Sequence, residues 1–216
     1  GGRIQCTGNM TNVYASLLAF EADNKRLPEA VFIAPDNHHA VSWRVAILPY
    51  FGATTAGNLK YDHTDSWDGD KNAELRKQWI PAFHCGTDPS PPTETSVLAA
   101  SGDGTPFLPS HPARISILGQ GAANTILVVE SHNSGIHWME PRDKPIDFAS
   151  KGVNQTESVL RSFHRGFFTG TQQIGAMSLF ADGRVQFLNS DIDSKLLRSL
   201  MEIDNHDKPV EKFISP

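Results

Sequence analysis

An α+β fold is what this sequence predicts, on three observations. The first twenty residues carry apolar side chains at helical spacing, residues 124–130 form an apolar run rich in β-branched side chains, and residues 177–189 hold two alternating stretches around Asp182-Gly183. A helix, then mixed segments, then antiparallel strands is the order of that class rather than of repeated βαβ units.

In the first helix, Met10, Val13, Tyr14, Leu17 and Phe20 make one stripe, and Thr7, Asn9, Asn12 and Ser16 lie opposite. It is expected to end near Asp23-Asn24-Lys25, because Asn tolerates the left-handed conformation and Pro28 forbids continuation. No Ser, Thr or Asp cap precedes Arg3, and Gly1-Gly2 reads as an expression scar, which fits a helix that starts in its middle. Periodicity alone favours an ordinary first helix of an intact domain.

In DNHHAVSWRVAILPYF, Ser42 is placed to cap a short helix that Pro49 stops, with a buried strand over 45–48 as the alternative. Acidic turn residues then lead into a short helix over 73–79, and IPAFHC reads as a strand ending at Cys85. Between 86 and 113 the density of Gly and Pro leaves room for a regular element only at 96–100. Residues 124–130 predict a central buried strand. HNSG turns the chain toward IHWMEP, a possible partner strand, whereas residues 158–168 are ambiguous. Asp-Gly between alternating runs predicts a hairpin, with Leu179 and Ala181 sharing one face and Val185 and Phe187 another pair. A closing helix over 194–203 carries Leu196, Leu197, Leu200 and Met201 at core spacing. The sequence contains no internal repeat.

With 216 residues, 39% apolar and 20% charged, the chain is long and apolar enough for one substantial core or two small ones. No apolar run reaches the roughly 18 to 20 residues a membrane-spanning helix needs, and no signal peptide is visible. A net charge of −5 with scattered Lys and Arg argues against a nucleic-acid partner, whose phosphates require a concentrated positive face. The two cysteines, Cys6 and Cys85, fit either one disulfide or two buried thiols. A disulfide would close a loop of about 80 residues, contribute roughly 4 kcal/mol and imply an oxidising compartment.

Asp62, Asp65, Asp68 and Asp70 are hard oxygen ligands of the type calcium takes, but their spacing is not that of an EF-hand, and a solvated turn with Asp68 or Asp70 as a helix cap is the competing reading. Trp138, Glu140 and Asp143, with Trp67, suggest a sugar-binding surface; the competing reading is an aromatic packed at a sheet edge before a Pro-terminated turn. His38-His39 point apart, there is no HExxH or CxxC, no serine sits in G-x-S-x-G, and Gly119-Gln120-Gly121 lacks a phosphate loop's flanking elements. No nucleophile, base and orienting group can be named as a set, so no enzyme is expected.

The stretches RIQCTGNM, SWRVAILPYF, SWDGDKN, FHCGTDP, NTILVVES, IHWMEPRD and FADGRVQFL, in this order and spacing, resemble the large family of pilin-like secreted proteins abundant in planctomycetes, a family of unknown function. The resemblance runs from Arg3 to about Lys212. Its members look like type IV pilins or type II secretion pseudopilins, with a prepilin cleavage and methylation segment and a C-terminal processing-associated domain named for an H-x9-DG motif. The resemblance implies that residues 1–24 are the C-terminal half of a longer helix packed on an antiparallel sheet with long irregular loops. Residues 25–216 would then be one globular domain, with the H-x9-DG-like region at about 160–212. It implies a Cys6–Cys85 disulfide and assigns Trp138, Glu140, Pro141, Asp182 and Gly183 to family motifs.

The implied function is a non-enzymatic structural or assembly role outside the cytoplasm. Partners would be pilin-like or secretion-system subunits, with self-assembly and membrane anchoring through a segment before Arg3. No cofactor is implied beyond the weak calcium candidates. A glycan- or solute-binding module is the alternative. One position departs from the pattern: ten residues before Asp182 stands Gln172 where the motif has histidine, and the nearest histidine is His164. If that histidine were a ligand or a base, the chain would lack its function; an architectural motif under the hairpin fits better.

Overall fold

The computed structural model describes residues 2–35, 38–108, 113–152, 162, 164, 175–203 and 214–215. The first element, α1 (Gly2–Asn24), buries Cys6, Met10, Val13, Leu17 and Glu21 along one stripe. Lys25 rather than Asn24 takes the left-handed conformation, with φ 60°, and its N–H bonds Glu21 O at 2.8 Å to close the last turn. Ser16, expected on the polar face, is buried instead. A 3-10 turn over Leu48–Phe51 packs alongside it, and the Ser16 hydroxyl donates to Asn12 O and Tyr50 O at 3.0 and 3.3 Å.

Next come the short antiparallel strands β1 (Val31–Ile33) and β2 (Ala40–Ser42), which no sequence pattern announced, followed by α2 (Trp43–Ala46). Ser42 caps α2 as expected, its hydroxyl accepting from Arg44 N at 3.2 Å. Pro49 sits in the first turn of the 3-10 helix that follows, where a missing N–H costs nothing. The helix expected over 73–79 is a single turn, α3 (Ala73–Arg76), entered through a 3-10 turn at Asp70–Asn72 with no side-chain cap from Asp68 or Asp70.

Two expected strands are absent. Residues 80–85 do not form one because Pro81 starts a 3-10 turn, Pro81–Phe83. IHWMEP makes one isolated bridge, Glu94 to His137, and then turns.

Within the Gly- and Pro-rich stretch lies β3 (Val97–Ser101), and the apolar run forms β4 (Ile126–Glu130). They are followed by β5 (Lys144–Pro145), β6 (Gly175–Phe180), β7 (Val185–Asn189), α4 (Ser194–Leu200) and β8 (Ile214–Ser215). The helix α4 is shorter than the expected 194–203 and is capped by Asp193, whose carboxylate accepts from Lys195 N and Leu196 N. Six strands form one sheet in the order β5-β3-β4-β6-β7-β8, antiparallel except for the β3–β5 pair. The fold is therefore α+β, as expected, with a mixed rather than purely antiparallel sheet.

Both faces of the sheet are covered, which is why β4 reads as an unbroken apolar run. Val97, Ala99, Met177, Leu179, Ala181 and Phe187 face a core shared with α1, while Leu98, Ala100, Ala176, Phe180 and Leu188 face α4 and the 3-10 helix Ile146–Lys151. A bulge between Ile126 and Val128 lets Leu127 and Val128 both join the α1 side. Among the described residues, no helix is long and apolar enough to cross a membrane. Gln172 and most of 158–168 lie outside the described residues.

The Asp182-Gly183 turn touches α1 directly. Gly183 has φ 90°, and a Cβ there would stand 2.7 Å from the ring of Tyr14, whose hydroxyl donates to Ala181 O at 3.0 Å. Gly183→Ala is expected to cost about 1 to 3 kcal/mol through backbone strain and this clash, measured by urea unfolding, whereas Ala in place of the open Gly8 is expected to be neutral or stabilising.

Candidate functional site

Three places collect the polar side chains of interest, one at the surface and two buried. The acidic loop comes first. Asp62 accepts from Thr64 N at 2.8 Å and Thr64 Oγ1 at 2.6 Å; Asp65 accepts from Lys71 N at 3.0 Å and Ser66 N at 2.9 Å. The Thr64 hydroxyl pulls the Asp62 carboxyl below its usual value, and the Lys71 N–H does the same for Asp65. Asn72 ties the loop together, donating to Asp62 O and Ser66 O and accepting from Asp62 N. The carboxylates shape the loop from within. Among the described residues, Asp62, Asp65, Asp68 and Asp70 do not bring three ligand atoms within 4.8 Å of one another.

The second place corrects the expected sugar-binding surface. Trp138 and the Asp143 side chain are buried, because the 138–143 turn wraps around a fully buried arginine. Arg44 donates to Trp138 O, Glu140 O and Arg142 O at 2.8 to 2.9 Å and to Asp143 Oδ1 at 2.8 Å. Asp143 Oδ1 also accepts from Trp43 Nε1 and Ala99 N. Its other oxygen is buried without a hydrogen bond, and burial pushes this carboxyl above its ordinary value against the pull of Arg44.

Trp138 stacks on Phe83 and donates its indole N–H to Gln78 O, while Trp67 stacks on His137 at 5.2 Å. Glu140 pairs with Arg142 beside Pro141, so of the four side chains only those of Trp67 and Glu140 retain solvent contact. The sequence reading missed Arg44, whose neighbours Trp43 and Val45 marked a buried segment.

The third place lies beneath the disulfide. Cys6 of α1 is bonded to Cys85, with Cα atoms 5.1 Å apart. The Cys85 backbone N–H donates to Ser96 Oγ, and Asn9 Nδ2 donates to His84 O at 3.1 Å, so the loop is clamped from both sides. Behind the sulfurs, at the end of β4, Glu130 is almost wholly buried. Its Oε1 meets His132 Nε2 at 2.9 Å; His164 Nε2 lies 3.0 and 3.1 Å from its two oxygens; Met177 N donates to Oε2 at 3.0 Å.

Burial alone would raise the Glu130 pKa, but the hydrogen bonds and charge of His132 and His164 outweigh it and bring the carboxyl to about 2. Nearby, the Arg3 guanidinium lies over the Phe187 ring, 3.6 Å from its centroid, its pKa lowered by burial and raised in part by Glu130. The sequence reading reached Cys6, Cys85 and His164 but not Glu130 or His132. A Glu closing an apolar strand, with His two residues on, was the available signal.

The family model SBP_bac_10, described as a protein of unknown function (DUF1559), matches residues 3–150. The chain belongs to this family. The DUF1559 segment takes in α1, the disulfide, the Arg44–Asp143 pair, Glu130 and His132; His164 and the Asp182-Gly183 hairpin lie beyond it. No curated protein and no solved structure matches the chain.

Two expectations follow for the DUF1559 chain. Arg44→Met strands the Asp143 charge and three carbonyls, and is expected to cost about 3 to 5 kcal/mol in denaturant unfolding, with Arg44→Met/Asp143→Leu recovering part of it. Glu130, held near 2 in the fold against 4.5 when free, contributes stability that is fully present above pH 4.5 and is lost as pH falls from there toward 2. Glu130→Gln is therefore expected to be the less stable protein at pH 7 by a few kcal/mol and to show a flatter stability profile across that window.

Proposed function

We propose that this chain is the globular domain of a pilin-like, pseudopilin-like subunit with a non-enzymatic assembly role at the cell envelope. The observation that carries the reading is the way α1 lies on the sheet. Its Met10–Leu17 stripe is buried in the core and its first turns are bonded covalently to the body at Cys85, while Ile4 and Leu18 on its other sides are 79% and 40% exposed. A helix held on one side and open on the other can carry load from a preceding segment into the domain and still meet a neighbouring subunit. Type II secretion subunits or further copies of the chain are the partners this reading supplies, with membrane anchoring outside the globular domain. A disulfide of this kind belongs outside the reducing cytoplasm.

The reading is tested in cells producing the full gene product. The expected result is recovery in the membrane or sheared-filament fraction, with Cys6 and Cys85 refractory to alkylation until reduced. A product confined to the cytosol with freely alkylated thiols would overturn it.

A further inference from the structure

Glu130 and His164 do more than underlie the disulfide. One ligand atom from each of Cys6, Cys85, Glu130 and His164 lies within 4.8 Å of every other, and all four residues are buried. While the sulfurs are bonded to each other they hold no metal. We propose that reduction of the Cys6–Cys85 bond opens a buried site for a zinc-class divalent metal, ligated by the two thiolates, one ring nitrogen of His164 and one carboxylate oxygen of Glu130.

The donor set is the first argument. Two thiolates, an imidazole and a carboxylate are the ligands that a borderline metal without geometric preference takes in tetrahedral sites. At zinc–sulfur and zinc–nitrogen distances of about 2.3 and 2.0 Å, ligand atoms stand roughly 3.3 to 3.8 Å apart. The sulfurs must part to that separation, and the other pairs already fall within 4.8 Å.

The surroundings are the second argument. His132 and Met177 N donate to Glu130 from behind, and Thr87 Oγ1 lies 3.1 Å from Cys85 Sγ and 3.4 Å from His164 Nδ1. The contacts to Glu130 and His164 involve neither sulfur. They orient the ligands as outer-shell partners do in metal sites. A dithiol reductant supplies the two electrons, becoming a cyclic disulfide as Cys6 and Cys85 become thiols, and metal binding then releases both thiol protons. The site thus belongs to the thiol form of the chain, the form it has before oxidation.

The test uses protein reduced with dithiothreitol, freed of reductant under argon and titrated with cobalt(II), with circular dichroism following the fold. The expected result is a thiolate-to-cobalt charge-transfer band and tetrahedral d–d bands saturating at one equivalent. Zinc should displace the cobalt, and the oxidised protein should show neither band. If reduction loosens the fold, one equivalent of zinc is expected to restore the oxidised protein's spectrum. His164→Ala is expected to bind zinc at least tenfold more weakly in chelator competition. Three results would each overturn the site: no charge-transfer band in the reduced protein, undiminished affinity in His164→Ala, or metal bound with the chain left unfolded.

Discussion

Glu130 is a carboxylate with almost no access to water, and the seam between α1 and the sheet is arranged to keep it charged. Transferring such a group out of water is costly unless it is paired and hydrogen-bonded. Here the partners come from separate parts of the chain: His132 just past β4, His164 far along the sequence, and the backbone of β6. The carboxylate is satisfied only when β4, β6 and the segments that carry the two histidines are all in place. The disulfide then closes the seam from the helix side, with Cys6 and Cys85 both within a few per cent of complete burial. Covalent bond and buried charge reinforce each other, since each holds the other's partners near.

The Arg44–Asp143 pair plays the corresponding part at the other edge of the same core. It links α2, β3 and the turn over 138–143, and each end is met by further donors or carbonyls. Pairs of this kind add little net stability compared with apolar packing but penalise any arrangement that separates them. The same core holds Trp43, Phe83, Trp138 and Phe107, stacked, tilted or edge-on at centroid distances of 5.4 to 6.2 Å. The aromatic side chains supply the buried area, and the two ionic nodes fix which segments cover it.

Those nodes also mark the limit of what the sequence could tell. The helix α1, the strand β4, the Asp182-Gly183 hairpin and the Ser42 cap were legible, because each rests on local periodicity or on turn and cap chemistry. The strands misread at 80–85 and 136–141 have the right composition. Pro81 and the carbonyls that Arg44 gathers override it, and the second of these is a long-range effect. Trp138 and Asp143 looked like a surface for the same reason: nothing nearby in sequence announces that an arginine about a hundred residues away is buried beneath them. Glu130 was hidden at the end of an apolar run, and its two histidine partners are separated from each other by more than thirty residues.

A pilin-like reading asks α1 to be a working layer of the domain rather than an appendage, and this is the claim most open to direct measurement. Native-state amide hydrogen exchange across a denaturant series compares the amides over 10–17 in α1 with those over 127–129 in β4. If the helix and sheet share one core, both sets open with the same free energy and the same denaturant dependence. If the α1 amides exchange through a separate opening of much lower energy while β4 stays protected, the helix is an independent attachment and the account fails.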